Sequence, residues 1–338
     1  MRARETRLGA GSANARPTPG RRPGSTLVGA LLAGCLSCSP VLASGGLASS
    51  AVCLVPVTAH AQSMSDADFQ SAMNELRNGT PEQRAAAADV LGRRAYRQRE
   101  QVAPILRQMI RNDTDWRVRA SAGRALGRLG TRDAVPDLVR ALRDPVVDVR
   151  VVAAAAIWRL PDPAAVPALI ELLSDSEASA RQWGALALGV IRDTRATTPL
   201  VALLRDPEKS VRLDVIRSLG RIRDASAVQP LEAYVRDESR DLDERVEAVS
   251  SLAALQGPEK VDALVRLLEY PSRDIRQRVI ESLGQVGDAL VVPALRQRRG
   301  AETGALRAAI DEALQQIAER GRGGGGSSVP LRLPPPPG

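Results

Sequence analysis

Aromatic residues are nearly missing from this chain. Its 338 residues include three Trp, three Tyr and a single Phe, Phe69. That scarcity excludes a conventional globular core built on large ring fillers. Histidine and cysteine are scarcer still, since His60, Cys35, Cys38 and Cys53 all lie before residue 62. Past that point no side chain can act as an imidazole base, a thiolate nucleophile, a disulfide partner or a member of the usual zinc ligand sets. Lysine is reduced to Lys209 and Lys260. No G-x-S-x-G, Walker-type glycine loop, H-E-x-x-H or paired C-x-x-C occurs there either. The reading is a non-enzymatic chain with no catalytic residue, no metal site and no cofactor.

Charge of one sign is also missing where it would matter. The formal net charge is +8, but residues 1–61 hold +5 of it in Arg2, Arg4, Arg7, Arg16, Arg21 and Arg22 against Glu5. The remaining 41 basic and 38 acidic residues lack the strong excess of a phosphate-backbone binder, so nucleic acid is not an expected partner. From Gly24 to Gln62 the chain carries no charge apart from His60. With Arg21-Arg22 before it, apolar segments at 27–36 and 52–57 and the small residues Ala59 and Ala61, this stretch reads as a signal peptide at 1–61, cleaved after Ala61. The mature protein is then exported to the periplasm or beyond the cell. Leu32-Ala33-Gly34-Cys35 supplies an alternative, lipidation of Cys35 and an envelope anchor. A membrane contact is expected only in that case or if the leader stays uncleaved.

What is abundant is Ala, Leu and Val, which suit closely packed helices, and they recur on a period. Arg84, Arg119, Arg150, Arg181, Arg212, Arg245, Arg276 and Arg307 are spaced by 35, 31, 31, 31, 33, 31 and 31 residues. An apolar Leu or Ile follows each by seven, and Gly92, Gly127, Gly189, Gly220 and Gly284 follow by eight. Asp113, Asp144, Asp175, Asp206 and Asp237 repeat at intervals of 31. Each unit reads as two helices. Pro136, Pro167, Pro199, Pro230 and Pro293 fall in the first turn of a first helix, where a missing N–H costs nothing. Asp144-Pro145 and Asp206-Pro207 read as an N-cap and first residue of a second helix, and the repeat glycines as the close of that helix. One pair cannot bury its own apolar face, so Leu169, Leu172, Ala185 and Leu188 must pack on neighbouring pairs. The small residues Ala87, Ala122, Ala153, Gly184 and Ala248 let helices approach closely.

The motif running from Ala134-Val135-Pro136 through Leu138, Leu142, Asp144-Pro145 and Val149-Arg150 to Ala156-Ile157 resembles HEAT repeats, in particular the short bacterial type of phycobilisome-lyase HEAT-like proteins. The resemblance covers about 73–320. It implies an all-α, right-handed solenoid of about eight helix pairs, after a lead-in at 62–72. It also implies an ion-pair ladder between adjacent repeats, carried over to Asp113/Arg119, Asp144/Arg150, Asp175/Arg181 and Asp206/Arg212. Asn78, Tyr270 and Ala301 stand in the Asp place of repeats one, seven and eight, so the ladder is expected to stop short of both ends. The hydroxylase chemistry known among such repeats needs histidines that have no counterpart here. A bilin-lyase-like role remains an alternative to a binding scaffold.

In this family second helices line the concave face. Arg93, Arg128, Arg159 and Arg221, nine after the repeat Arg, with Arg124 and Arg217 one turn earlier, are expected to form a basic stripe there. Trp158 and Trp183 are expected as groove anchors, or as filler between repeats. Net charge runs from +6 at 73–165 through +1 at 166–227 to −4 at 228–320, a polarity able to orient a charged partner. The expected partner is another protein with an acidic segment. The run from Asp237 to Glu244, where repeat six is two residues longer, reads as a solvated loop rather than a calcium loop. Residues 321–338, rich in Gly and Pro, read as a disordered tail.

Overall fold

Alternating caps and breakers divide the chain into helix pairs. The computed structural model describes residues 64–322, and these fall within one compact unit. The leader with Cys35 and the tail from 323 onward lie outside the described residues.

The first four pairs are α1 (Asp66–Asn78) with α2 (Pro81–Arg94), α3 (Arg99–Asn112) with α4 (Trp116–Leu129), α5 (Val135–Ala141) with α6 (Val147–Arg159), and α7 (Val166–Leu172) with α8 (Ala178–Ile191). The last four are α9 (Thr197–Ala202) with α10 (Lys209–Ile222), α11 (Val228–Arg236) with α12 (Leu242–Ala254), α13 (Glu259–Leu267) with α14 (Arg273–Val286), and α15 (Val292–Ala301) with α16 (Gly304–Arg322). No strand occurs among the described residues, and none of their helices is long and apolar enough to cross a membrane. This is the expected all-α solenoid of eight pairs, and its first helix already begins at Asp66.

Local chemistry sets the boundaries. Thr80 and Gln83 form a capping box at the start of α2, with Pro81 at its first position. Pro136, Pro167 and Pro293 sit at the starts of α5, α7 and α15. Asp144 and Asp206 are not the N-caps. Those positions belong to Val146 and Glu208, because each Asp lies in the preceding turn and its Oδ1 accepts the N–H two residues on, at 2.9 Å.

The repeat glycines do not close helices. They lie inside α2, α4, α8, α10 and α14 and face the small residue six after the Arg of the next repeat. A Cβ on Gly92, Gly127, Gly189, Gly220 or Gly284 would stand 2.6–3.0 Å from the Cα of Ala125, Ala156, Ser218, Ser251 or Ala313. Only hydrogen fits there. Second helices therefore pack on one another along the entire row, while first helices touch more sparsely. Closer packing on one side makes the second helices the inner layer. Three second helices end instead on a left-handed residue, Gly130, Arg192 or Arg223. The core is mainly aliphatic, with Phe69, Tyr234 and Tyr270 as its buried rings: Leu169, Ala185 and Leu188 are fully buried and Leu172 nearly so.

Candidate interaction face

Two charged systems run along the stack, one structural and one displayed. In the first, Arg84, Arg119, Arg150 and Arg181 each grip a turn carboxylate of the following repeat with Nε and Nη2. The closest contacts are 2.9 Å to Asp113, 2.7 Å to Asp144, 2.6 Å to Asp175 and 2.7 Å to Asp206. The Nη1 of Arg119, Arg150, Arg181 and Arg212 donates to the backbone carbonyl of its own repeat's Asp, Asp113, Asp144, Asp175 and Asp206 respectively. The expected ion pairs Asp113/Arg119 to Asp206/Arg212 are instead hydrogen bonds to the main chain, and each carboxylate pairs with the arginine one repeat earlier. Each of Arg119, Arg150 and Arg181 thus ties the turn of its own repeat to that of the next.

The row reaches both ends by changing its acceptor. Arg84 supplies a rung from repeat one. Arg212 takes Glu244 at 2.9 Å, and Arg276 takes Glu302 at 2.7 Å. Arg245 donates to the Tyr270 hydroxyl at 2.5 Å and to the Val235 carbonyl at 2.8 Å. The run 237–244, expected to be a solvated loop, therefore carries a core residue, since Glu244 is fully buried. The two extra residues move Asp237 out of register, and it binds Ser239 and Arg240 instead.

Burial raises the Asp175 and Asp206 carboxyls, but the arginine clasp and the turn N–H outweigh it and hold both below the ordinary range. Groups depressed on folding add stability that is complete above the unfolded carboxylate value, near pH 4, and is lost as pH falls through the folded values. Thermal unfolding followed from pH 7 to pH 2 is expected to show a flat upper range and a steep loss below about pH 4. The Asp175→Asn variant should lose less over that window.

The displayed system lies on the inner layer, and its arginines differ in how firmly they are held. Arg124 and Arg128 converge on Asp89, at 3.0 and 3.4 Å. Arg217 is shared between Asp214 at 3.3 Å and Glu247 at 3.1 Å. Arg221 is half buried, and that burial lowers its affinity for the proton despite Asp214. Arg93 and Arg159 are exposed, and neither makes an ion pair in the described residues. Burial lowers Arg128 as well, with Arg124, Arg93 and Arg159 adding like-charge repulsion, so these four guanidinium groups form one patch. Sequence reasoning missed Asp89, five residues after Arg84 and in the same register as Arg124. That shared register was the available signal.

Trp158 and Trp183 meet edge to face, with centroids 6.3 Å apart and an interplanar angle of 77°. Both are partly buried against the core and partly open, so they serve as filler between repeats while leaving ring surface exposed. Trp158 lines a shallow, open depression of about 510 Å³ together with Gly127, Arg128, Arg159, Pro161 and Val190, and Arg159 lies over its ring at 5.7 Å. No group of three or more His, Cys, Asp or Glu side chains suited to a metal occurs among the described residues.

An all-α stack of helix pairs with a continuous inner layer defines a repeat protein of the α-solenoid class. A family profile described as HEAT repeats matches residues 70–157, 141–213, 166–246 and 238–315, and the chain belongs to that family. HEAT repeats generally mediate protein–protein interaction. Among solved structures the chain resembles the complex of CpcE and CpcF of phycocyanin lyase from Nostoc, at 20% identity over 83% of this chain and 99% of that one, with a TM-score of 0.43. It also resembles an engineered protein, at 19% identity over 75% and 79%, TM-score 0.49. The E. coli protein YibA is 20% identical over 75% and 93%, TM-score 0.49. No curated protein matches the chain.

Proposed function

We propose that this chain is an exported, non-enzymatic scaffold that holds another protein along the inner face of its solenoid, and that an acidic segment of the partner lies on the arginine patch. The observation that carries the reading is the patch itself. Arg93 and Arg159 stand exposed without carboxylates beside Arg124 and Arg128, and like charges gathered on a continuous face favour an anionic partner. Export rests on the leader-like 1–61 stretch, and N-terminal sequencing of the protein recovered from its native cells is expected to begin at Gln62.

Cross-linked capture from the native cell envelope, with the wild-type chain and the Arg93→Glu/Arg159→Glu variant as baits, tests the binding claim. Among the described residues neither arginine has an ion-pair partner to lose, and Arg159 gives up only its place over the Trp158 ring, so both baits should fold with closely similar melting temperatures. Retention of a specific protein by the wild type alone supports the scaffold. The same set on both baits, or no protein on either, overturns it.

A further inference from the structure

We propose that the inner face between the third and fourth repeats seats an acidic peptide segment carrying one bulky apolar side chain. That side chain fills the Trp158 depression while carboxylates on either side meet Arg159 and Arg192. The inference rests on the scaffold reading and specifies its ligand.

Three independent departures from the repeat coincide here. The first is Trp158, which occupies the place that five other repeats give to glycine. The fold has no need of an indole at that place. Its Nε1 is enclosed without an acceptor, a cost that native interiors rarely leave uncompensated. The ring is diverted toward the inner face, where it lines the depression and meets Trp183 edge on.

The second departure is Val190, an apolar residue at the place that Arg159 and Arg221 hold in the repeats on either side, and the third is Arg192, an exposed cation two residues further on. Arg192 caps α8 with φ at 61°, a left-handed conformation that side chains rarely adopt. Gly130 meets the same requirement at the end of α4 without strain. Arg223 also adopts it, at 65°, but its Nε donates to the Ala254 carbonyl at 3.0 Å and so caps α12. Arg192 has no such use. It is exposed, makes no side-chain hydrogen bond or ion pair in the described residues, and its charge acts on Arg221. Strain kept at one exposed cation points to what that cation binds.

The chemistry of the ligand follows. The depression is open and bounded by Val190, Pro161 and the Trp158 ring, which suits one protruding apolar side chain and not an enclosed small molecule. Arg159 lines it and Arg192 follows the lining residue Val190 by two positions, and neither has a carboxylate of its own among the described residues, so the complement is acidic on both sides of the apolar residue. A flanked anchor of this kind concentrates affinity at one buried point.

The test uses the full chain in a Trp116→Phe background, so that indole emission reports Trp158 and Trp183. The probe is a fluorescein-labelled peptide of eight glutamates interrupted by one central leucine. Its controls are the same peptide with glycine for leucine, and inorganic polyphosphate of equal charge. The leucine peptide is expected to bind and shift the indole emission, with the glycine peptide and polyphosphate at least about 10-fold weaker. Arg192→Gly should raise the melting temperature by removing the left-handed strain and yet weaken binding about 10-fold. Arg223→Gly should leave binding unchanged. Trp158→Gly restores the common repeat residue, so it should fold and lose the preference for leucine.

Equal binding of all three probes, or an Arg192→Gly variant that binds the leucine peptide as tightly as the parent, overturns the proposal. If the envelope partner still depends on Arg93 and Arg159 in that event, only the seat is wrong. If it does not, the scaffold reading fails with it.

Discussion

Replacing Glu244 with alanine is expected to destabilise the protein by about 3 kcal/mol, the lower end for removing one partner of a buried ion pair. The Glu244 carboxylate is fully buried. It accepts from Nε and Nη2 of Arg212 at 2.9 and 3.1 Å and from the Tyr234 hydroxyl at 3.1 Å. Burial, against the pull of Arg212, pushes that hydroxyl up to about 12, so it stays protonated and able to donate at any ordinary pH. Without the carboxylate, an Arg212 side chain only 12% exposed keeps its bonds to the Asp206 and Pro207 carbonyls but loses its countercharge. Those two carbonyls are why the loss stays at the lower end. Glu244→Gln keeps the shape and one acceptor oxygen, and should cost about half as much. Glu171→Ala is the control, because its pair with Arg143 is more than half exposed on both sides, where an ion pair contributes under about 1 kcal/mol. Urea unfolding of the three variants orders them. A Glu244→Ala loss no larger than that of Glu171→Ala would show that the continuation of the ladder beyond repeat five is ornamental.

A valine at Gly189 is expected to cost about as much, by a different route. Its Cβ would lie 2.8 Å from the Ser218 Cβ and 2.9 Å from the Ser218 Cα, so α8 and α10 must separate before the branched side chain fits. Overpacking of this sort costs about 1–3 kcal/mol, and here the obstacle is backbone. Because each repeat is stabilised mainly by its neighbours, separation should also weaken coupling between the two halves of the stack. The expected readout is a lower urea midpoint with a broadened, shallower transition, and hydrogen exchange accelerated on both sides of the α8–α10 contact. Gly184→Ala serves as the comparison, since a Cβ there meets only Leu172, Leu173 and a carbonyl, at 3.4–3.5 Å. Valine at Gly189 unfolding in one transition as sharp as wild type would refute the close-contact account.

The architecture was legible in the sequence because a solenoid repeats its local rules. Eight arginines in register, prolines in the first turns and the near absence of aromatics each pointed to stacked helix pairs. The pairing of the ladder was harder to read, because Arg119 is near Asp113 in sequence and near Asp144 in space, and periodicity alone treats these neighbours alike. The repeat glycines were misread for a related reason. A glycine near a helix end commonly serves as a cap, and only the 2.6–3.0 Å approaches to the next repeat reveal the other cause.

At the inner face, position nine after each repeat Arg was visible, but the state of each cation was not. Arg128 held by Asp89 is a fact of partnership between different repeats, and Arg159 lying over the neighbouring Trp158 ring is a fact of side-chain direction that a period does not encode. Sequence by itself determined the helix pairs, their number and which side chains form the core, since these depend on a period and on caps within about 35 residues. Tertiary structure alone decided which carboxylate each arginine meets, that Glu244 is buried and which cations remain open. Those outcomes turn on distances between residues 25 to 39 apart in the chain, and a few ångströms there separate a satisfied ion pair from a displayed charge.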